Sequence, residues 1–305
     1  MPNHVKNILT FNGSSEEVKR LRNAIKNINS EGEEQAIDFE KIISMPVSMK
    51  ITSGSRTDYG FAVILFRERG DDSKLKPILD YPWVKAENIK TAEQLANYLV
   101  ETDKADVIQG KQALDNLDTH GFKDWYSWSI ANWGTKWNAY SIQEIEEEKI
   151  SFDTAWSTPY PVVEELSSMF PDVEITLEFA DEDFGYNCGK IVFSGGVATE
   201  EFIPEAGSAE AHILADKIHD YGMETTFFNI GHSDDEEFLE AMIAGLFETY
   251  SPREVLEEVD FSSREIEFSD TFLAVLKQAL INAEEYELMA LYDKIKVFIE
   301  KEGEE

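Results

Sequence analysis

An α+β fold with a long insert and an acidic, all-helical C-terminal region is what the sequence predicts, on three observations. Strand-type alternation runs into a capped helical stripe near the N-terminus, and the same pair of patterns returns from Ile150 onward. After Pro204 the strand alternation is lost and the chain reads as helix to its end. Residues 205–305 also carry 26 acidic and 7 basic residues, a net charge of −19, against −15 for the longer first part.

Taken in order, Val5 to Phe11 reads as a strand that Gly13 ends. Ser14, with Glu17 three residues on, has the form of a capping box. It opens a helix whose apolar stripe is Val18, Leu21, Ile25 and Ile28. The apolar stretch Ile37 to Ile43, closed by Pro46, is expected to complete a β-α-β unit. An insert over residues 47–145 follows, with Tyr59–Phe66 read as a strand, Ala92–Val100 as a helix, and an aromatic cluster beyond them.

The second unit opens with Ile150, Phe152, Thr154 and Trp156 alternating with Ser151, Asp153 and Ala155. Thr158 caps the next helix, with Pro159 at its first position. Val163, Leu166 and Phe170 form the inner face of that helix, and Pro171 stops it. Val173, Ile175, Leu177 and Phe179 then alternate strictly with Glu174, Thr176 and Glu178, and Lys190–Phe193 extends the sheet edge. Two such units with both helices on one sheet face make the ferredoxin-like β-α-β-β-α-β plan. The expected division is a ferredoxin-like domain over 1–204 that contains the insert, then an acidic helical domain over 205–305.

Composition narrows the function classes. The 305 residues hold 61 Asp and Glu against 27 Lys and Arg, a net charge of −34 at pH 7. A body this negative repels phosphate backbones and anionic membranes over about a Debye length, roughly 8 Å at physiological salt. Direct nucleic-acid or membrane binding is therefore disfavoured. The single cysteine, Cys188, makes neither an internal disulfide nor a thiolate metal cage. The start Met1-Pro-Asn-His-Val-Lys-Asn7 has no secretory apolar core, so a cytoplasmic location in a host cell is expected.

Strand parity adds a functional expectation. If the apolar side of the 173–179 strand meets the helices, the open side shows Glu174 and Glu178, with Asp153 beside them. RNA-binding versions of this plan carry stacking aromatics and positive charge there. Here the face is acidic, and Asp153, Glu174 and Glu178 are candidate partner contacts.

The most unusual segment is aromatic. Trp125, Trp128, Trp133 and Trp137 fall within 13 residues, with Tyr126 and Tyr140 nearby. These rings are suited to stacking a ligand or partner oriented by Lys136 and Asn138, or to filling a core, the commoner use of indoles. Gly185-Tyr-Asn-Cys-Gly189-Lys190 falls one residue short of a phosphate loop and reads as a turn between strands. His212, Asp216 and His219 share one side of a helix, a spacing compatible with a metal but read as a solvated polar face. No third strong ligand lies nearby, and no nucleophile elbow occurs. No catalytic residue, metal site or cofactor is expected.

Three strings resemble a known family: Met1-Pro-Asn-His-Val-Lys-Asn7, Asn132-Trp-Gly-Thr-Lys-Trp-Asn-Ala-Tyr140 and Thr154-Ala-Trp-Ser-Thr-Pro-Tyr-Pro-Val-Val163. They look like the YubB-type ferredoxin-like domain proteins of phages and conjugative plasmids, over roughly residues 1–200. The resemblance implies the split ferredoxin-like plan and a mobile-element origin, and supplies no activity. Leu276–Lys296 resembles the UVR helical hairpin, a docking module, with Tyr292 where that motif has Arg and Met289 where it has Ala. The expected function is a non-catalytic accessory protein of a phage or mobile element, acting on a host or phage protein through charge complementarity to a basic partner. The alternative is a protein that binds or sequesters a nucleotide or sugar with its Trp-rich segment.

Overall fold

The computed structural model describes residues 3–28, 32–220, 230–231, 233–249, 251–253, 268–283 and 292. The chain is an α+β protein whose main sheet has six antiparallel strands. It divides into two compact units, one built of 1–37, 139–158 and 163–305, the other of 38–138 and 159–162.

In the sheet unit, β1 (His4–Asn12) leads into α1 (Ser15–Ile25), where the Ser14 hydroxyl accepts the Glu17 N–H. Val18, Leu21 and Ile25 are buried as their spacing predicts. Ile28 is not part of that stripe. The helix ends at Ile25 because Lys26 turns extended, and Ile28 lies exposed in the small ladder β2 (Asn27–Ile28) with β3 (Glu34–Gln35).

The strand expected at Ile37–Ile43 does not form. The Asp38 carboxylate accepts the Glu40 N–H and turns the chain into a 3-10 turn at Phe39–Lys41, with Phe39 buried.

The insert unit is helical: α2 (Ser55–Arg69), α3 (Lys76–Leu79), α4 (Pro82–Ala86), α5 (Ala92–Glu101), α6 (Val107–His120) and α7 (Trp125–Asn132). The run Tyr59–Phe66, expected as a strand, is the middle of α2. A short apolar run fits a buried helix as well as a strand. Here Ala62 and Val63 pack with Leu95 and Leu99, while Phe61 and Leu65 pack with Ala113 and Leu114. Gly60 and Gly110 let α2 and α6 approach backbone to backbone.

The chain then returns to the sheet with β4 (Tyr140–Glu146) and β5 (Lys149–Ala155), then α8 (Tyr160–Met169), β6 (Glu174–Asp181), β7 (Cys188–Ser194) and β8 (Val197–Phe202). The sheet order is β4-β5-β1-β6-β7-β8. Within it, β6-β1-β5-β4 is the ferredoxin-like order, and β7 and β8 extend it past β6. The strand completing the first β-α-β unit is therefore β4, and the insert lies inside that unit, between α1 and β4. Val5, Leu9, Phe11, Ile150, Phe152, Ile175, Leu177 and Phe179 form the apolar face with Leu21 and Leu166, all buried.

Beyond the sheet come α9 (Ala209–His219), α10 (Glu236–Thr249) and α11 (Asp270–Asn282). Leu239, Met242, Ile243 and Leu246 of α10 pack with Phe272, Leu273 and Leu276 of α11, with Tyr292 buried in the same cluster. The division expected at residue 204 is not where the units separate: residues 205–305 group with the sheet, because α9 packs on it. The 284–291 and 293–296 part of the UVR-like hairpin lies outside the described residues. Among the described residues no helix is long and apolar enough to cross a membrane.

Candidate functional site

The sheet face away from α1 and α8 is only partly open. Ala211, Leu214, Ala215 and Ile218 of α9 lie on Ile8, Ala180 and Cys188, with Phe184 against the same cluster. Burial pushes the Cys188 thiol pKa up, and its Sγ donates to the Ala211 carbonyl.

This cover changes the reading of the acidic face. Glu178 is only 9% exposed and is held by Lys217 of α9, Nζ to Oε1 3.0 Å. Glu174 remains exposed at the strand start, where it accepts from the Asn12 amide. Asp153 is half-buried. The three carboxylates do not form one open anionic surface: α9 takes Glu178 out of it.

What the cover leaves is a polar cavity of about 340 Å³ over β4, β5 and β1, bounded by His4, Lys6, Gln143, Ser151, Asp153, Glu182 and His219. The Tyr140 hydroxyl donates to the Thr154 carbonyl at 3.0 Å, so its oxygen accepts from His4 Nδ1 at 2.7 Å. That pair fixes the His4 proton on Nδ1. Lys6 Nζ donates to the His219 carbonyl, a cation at the C-terminal end of α9, and His219 Nε2 donates to the Asp181 carbonyl.

Burial, then the negative charges of Asp153 and Glu182, push the Tyr140 phenol up to about 12. Burial lowers the His219 pKa, with Lys6 acting in the same direction. The Asp153 carboxylate makes no hydrogen bond or ion pair among the described residues. The set offers hydrogen-bonding groups of both charges around one space, which suits holding a polar group.

Parity along β1 and β5 places Lys6 beside Asp153 in register. The roles of His4, Glu182 and His219 carry no local sequence signal: the Glu182 N–H meets the His4 carbonyl through the pairing of β1 with β6, and His219 joins them only once α9 lands on the sheet.

The aromatic segment is divided between core and surface. Trp128 and Trp133 are 6% and 5% exposed, meet edge to face at 5.5 Å, and Trp133 donates its indole N–H to the Ile43 carbonyl at 2.9 Å. Phe39 packs edge-on against the Trp133 ring. Asn138 accepts the Phe39 N–H and donates to Asp38 at 2.7 Å, so it braces the turn that replaces the expected strand. Trp125 meets Tyr126 edge to face, half-buried. Trp137 is 38% exposed, with the Lys136 ammonium 4.6 Å from its ring centre. Tyr140 belongs to the sheet unit and serves the polar cavity instead.

His212, Asp216 and His219 do not form a solvated face. The His212 ring lies between Phe184 and Phe238, at 5.0 and 5.1 Å, and against Gly185, where a side chain would collide with it. Its Nδ1 donates to the Ser208 carbonyl, and Asp216 is buried. Among the described residues no three His, Cys, Asp or Glu side chains are grouped to hold a metal ion. Gly185–Asn187 lies in the turn between β6 and β7.

A family-model match agrees with the ferredoxin-like plan. Residues 132–222, from the Asn-Trp-Gly string through α9, match a family model described as the ferredoxin-like domain in Api92-like protein. Residues 132–222 are thus similar to that ferredoxin-like domain. Among solved structures, the crystal structure of the protein api92 from Yersinia pseudotuberculosis is similar at 12% identity and a TM-score of 0.34, covering 68% of this chain and 99% of that one. No curated protein matches the sequence.

Proposed function

We propose that this is a non-catalytic accessory protein of a phage or mobile element that binds a basic host or phage protein, in the manner of a nucleic-acid mimic. Host defence and DNA-binding proteins are the natural targets of such charge. The observation supporting the reading is a cleft of about 570 Å³ beside the edge strand β4, bounded by Glu33, Glu34 and Glu144. Next to it, the β4–β5 hairpin exposes Glu146, Glu147 and Glu148.

Arg22 and Lys26 neutralise part of this charge. Arg22 reaches Glu144 at 3.1 Å, and its guanidinium also donates to the Glu146 and Glu147 carbonyls, which anchors the hairpin. Lys26 reaches Glu34 and Glu144. Against these two cations stand five carboxylates, at 33, 34, 144, 146 and 148, before Glu147 and its partner Lys19 are counted. A strand edge with spare backbone groups beside excess carboxylates suits an extended basic segment. On this reading the protein works in the host cytoplasm without touching nucleic acid, and the UVR-like C-terminus is a second docking element.

The test is retention of a host protein on the immobilised full chain at low salt and its release at high salt. A Glu146→Lys/Glu148→Lys double variant with an unchanged circular dichroism spectrum should lose that protein. Retention indifferent to salt or to charge reversal would overturn the reading.

The small-ligand alternative keeps a narrower basis in the Trp-rich segment: Trp137 is the most exposed of its four indoles and stands beside Lys136. Quenching of tryptophan fluorescence by a nucleotide or sugar, lost in Trp137→Ala, would favour it.

A further inference from the structure

The helical insert unit contains a second, chemically different space. An open cavity of about 670 Å³ lies among α2, α3, α6 and the start of α7, within the range of small-molecule sites. Phe61, Ile78, Tyr81 and Leu117 give it an apolar wall. Phe61 is buried, whereas Tyr81 is 45% exposed and Leu117 is also exposed, so large apolar side chains stand in water beside it.

Its charges set the ligand class. Asp58 and Lys123 both border the space and pair with each other at 2.5 Å, so together they contribute no net charge. Lys123 also stands over the Phe61 ring, 5.5 Å from its centre. The third charged residue, Lys74, makes no ion pair within 4 Å and no side-chain hydrogen bond among the described residues. Of the acids that precede it, Asp72 pairs with Lys76 at 2.9 Å, while Asp71 accepts the Ser73 N–H and lies outside the cavity lining, near enough to feel the Lys74 charge. A cavity of net positive charge with aromatic walls thus sits in a chain of net charge −34.

We propose that this cavity binds a small aromatic anion, a planar ring carrying a carboxylate, sulfonate or phosphate. The ring stacks against Tyr81 and Leu117 over Phe61, and the anionic group meets Lys74. The neutralised Asp58–Lys123 pair leaves the cavity able to distinguish an anion from the corresponding cation.

Calorimetric titration of the full chain with 1-naphthalenesulfonate and with 1-naphthylmethylammonium tests this. The sulfonate should bind saturably at one site, and the ammonium at least tenfold more weakly despite the negative field of the chain. Lys74→Ala, an exposed change that should leave the melting temperature unaltered, should weaken sulfonate binding about tenfold and remove the preference. Leu117→Trp, which fills the mouth, should block both probes. Failure of the sulfonate to bind, equal binding of the two probes, or sulfonate binding untouched by Lys74→Ala would each overturn the assignment.

Discussion

Gly60 of α2 and Gly110 of α6 meet so closely that a methyl group on Gly110 would lie 2.1 Å from the Gly60 carbonyl carbon. A methyl on Gly60 would lie 1.9 Å from the Asp106 carbonyl oxygen, so neither backbone has room for a side chain. Gly110→Ala should therefore force the two helices apart. A loss of about 2–3 kcal/mol is expected, read as a lower urea midpoint at unchanged slope. Gly121→Ala makes a useful contrast, because its strain is the left-handed backbone at the end of α6 and nothing crowds its side.

Asn7 is buried in the apolar face of β1, yet its polar atoms are satisfied. Its amide donates to the Val5 carbonyl and to Thr154 Oγ1, both at 2.8 Å, and its carbonyl oxygen accepts from the Thr158 hydroxyl at 2.7 Å. It thereby ties β1 to the end of β5. Asn7→Leu removes these partners and leaves the Thr158 donor without its acceptor, at about 1–3 kcal/mol. A double variant with Thr158→Val should recover part of that cost, and thermal melts of the four proteins measure the coupling.

The lowered pKa of His219 makes stability depend on pH in a definite direction. Burial disfavours the charged ring, so below the ordinary value of 6.5 the unfolded chain takes up a proton that the folded one resists. Stability attributable to this group is therefore intact above pH 6.5 and declines as pH falls from there toward the lower folded value. His219→Asn should flatten that part of the profile between pH 7 and pH 5. Urea midpoints of the two proteins across the range check it, and an unchanged profile would contradict the burial argument.

Cys188 lies beneath α9, and its thiol pKa is raised by burial. It should react with a disulfide reagent at pH 8 only slowly in the native protein and fully in denaturant. Leu214→Ala, which thins the cover, should speed the reaction and cost about 2–4 kcal/mol.

The strands of the ferredoxin-like plan were legible where large apolar side chains alternate with polar or small ones. In Ile150–Ala155 and Val173–Phe179 the apolar set is buried on one face, while the other carries Ser151, Asp153, Thr176 and Glu178 even where α9 covers part of it. The same logic failed at Ile37–Ile43 and Tyr59–Phe66, short apolar runs whose periodicity does not separate a turn or helix from a strand. The cover over the sheet was hidden by its small residues. Ala211 and Ala215 sit close to β6 and β7 without giving α9 a strong apolar stripe, and its histidines and Asp216 read as solvated. In the polar cavity, parity exposed Asp153, but the pairing of His4 with Tyr140 spans 136 residues and leaves no local trace.

That separation has a temporal side. His4 aligns with Ala155 and Val5 with Asp181, so neither neighbour of β1 has been synthesised when β1 leaves the ribosome. At ~5–20 residues per second, the strand waits roughly 9–35 s before its second partner is made. The α-helical insert, continuous from 38 to 138, emerges whole during that delay. Nascent chains stalled near residue 140 should thus expose an apolar segment to chaperones that stalls beyond residue 200 conceal.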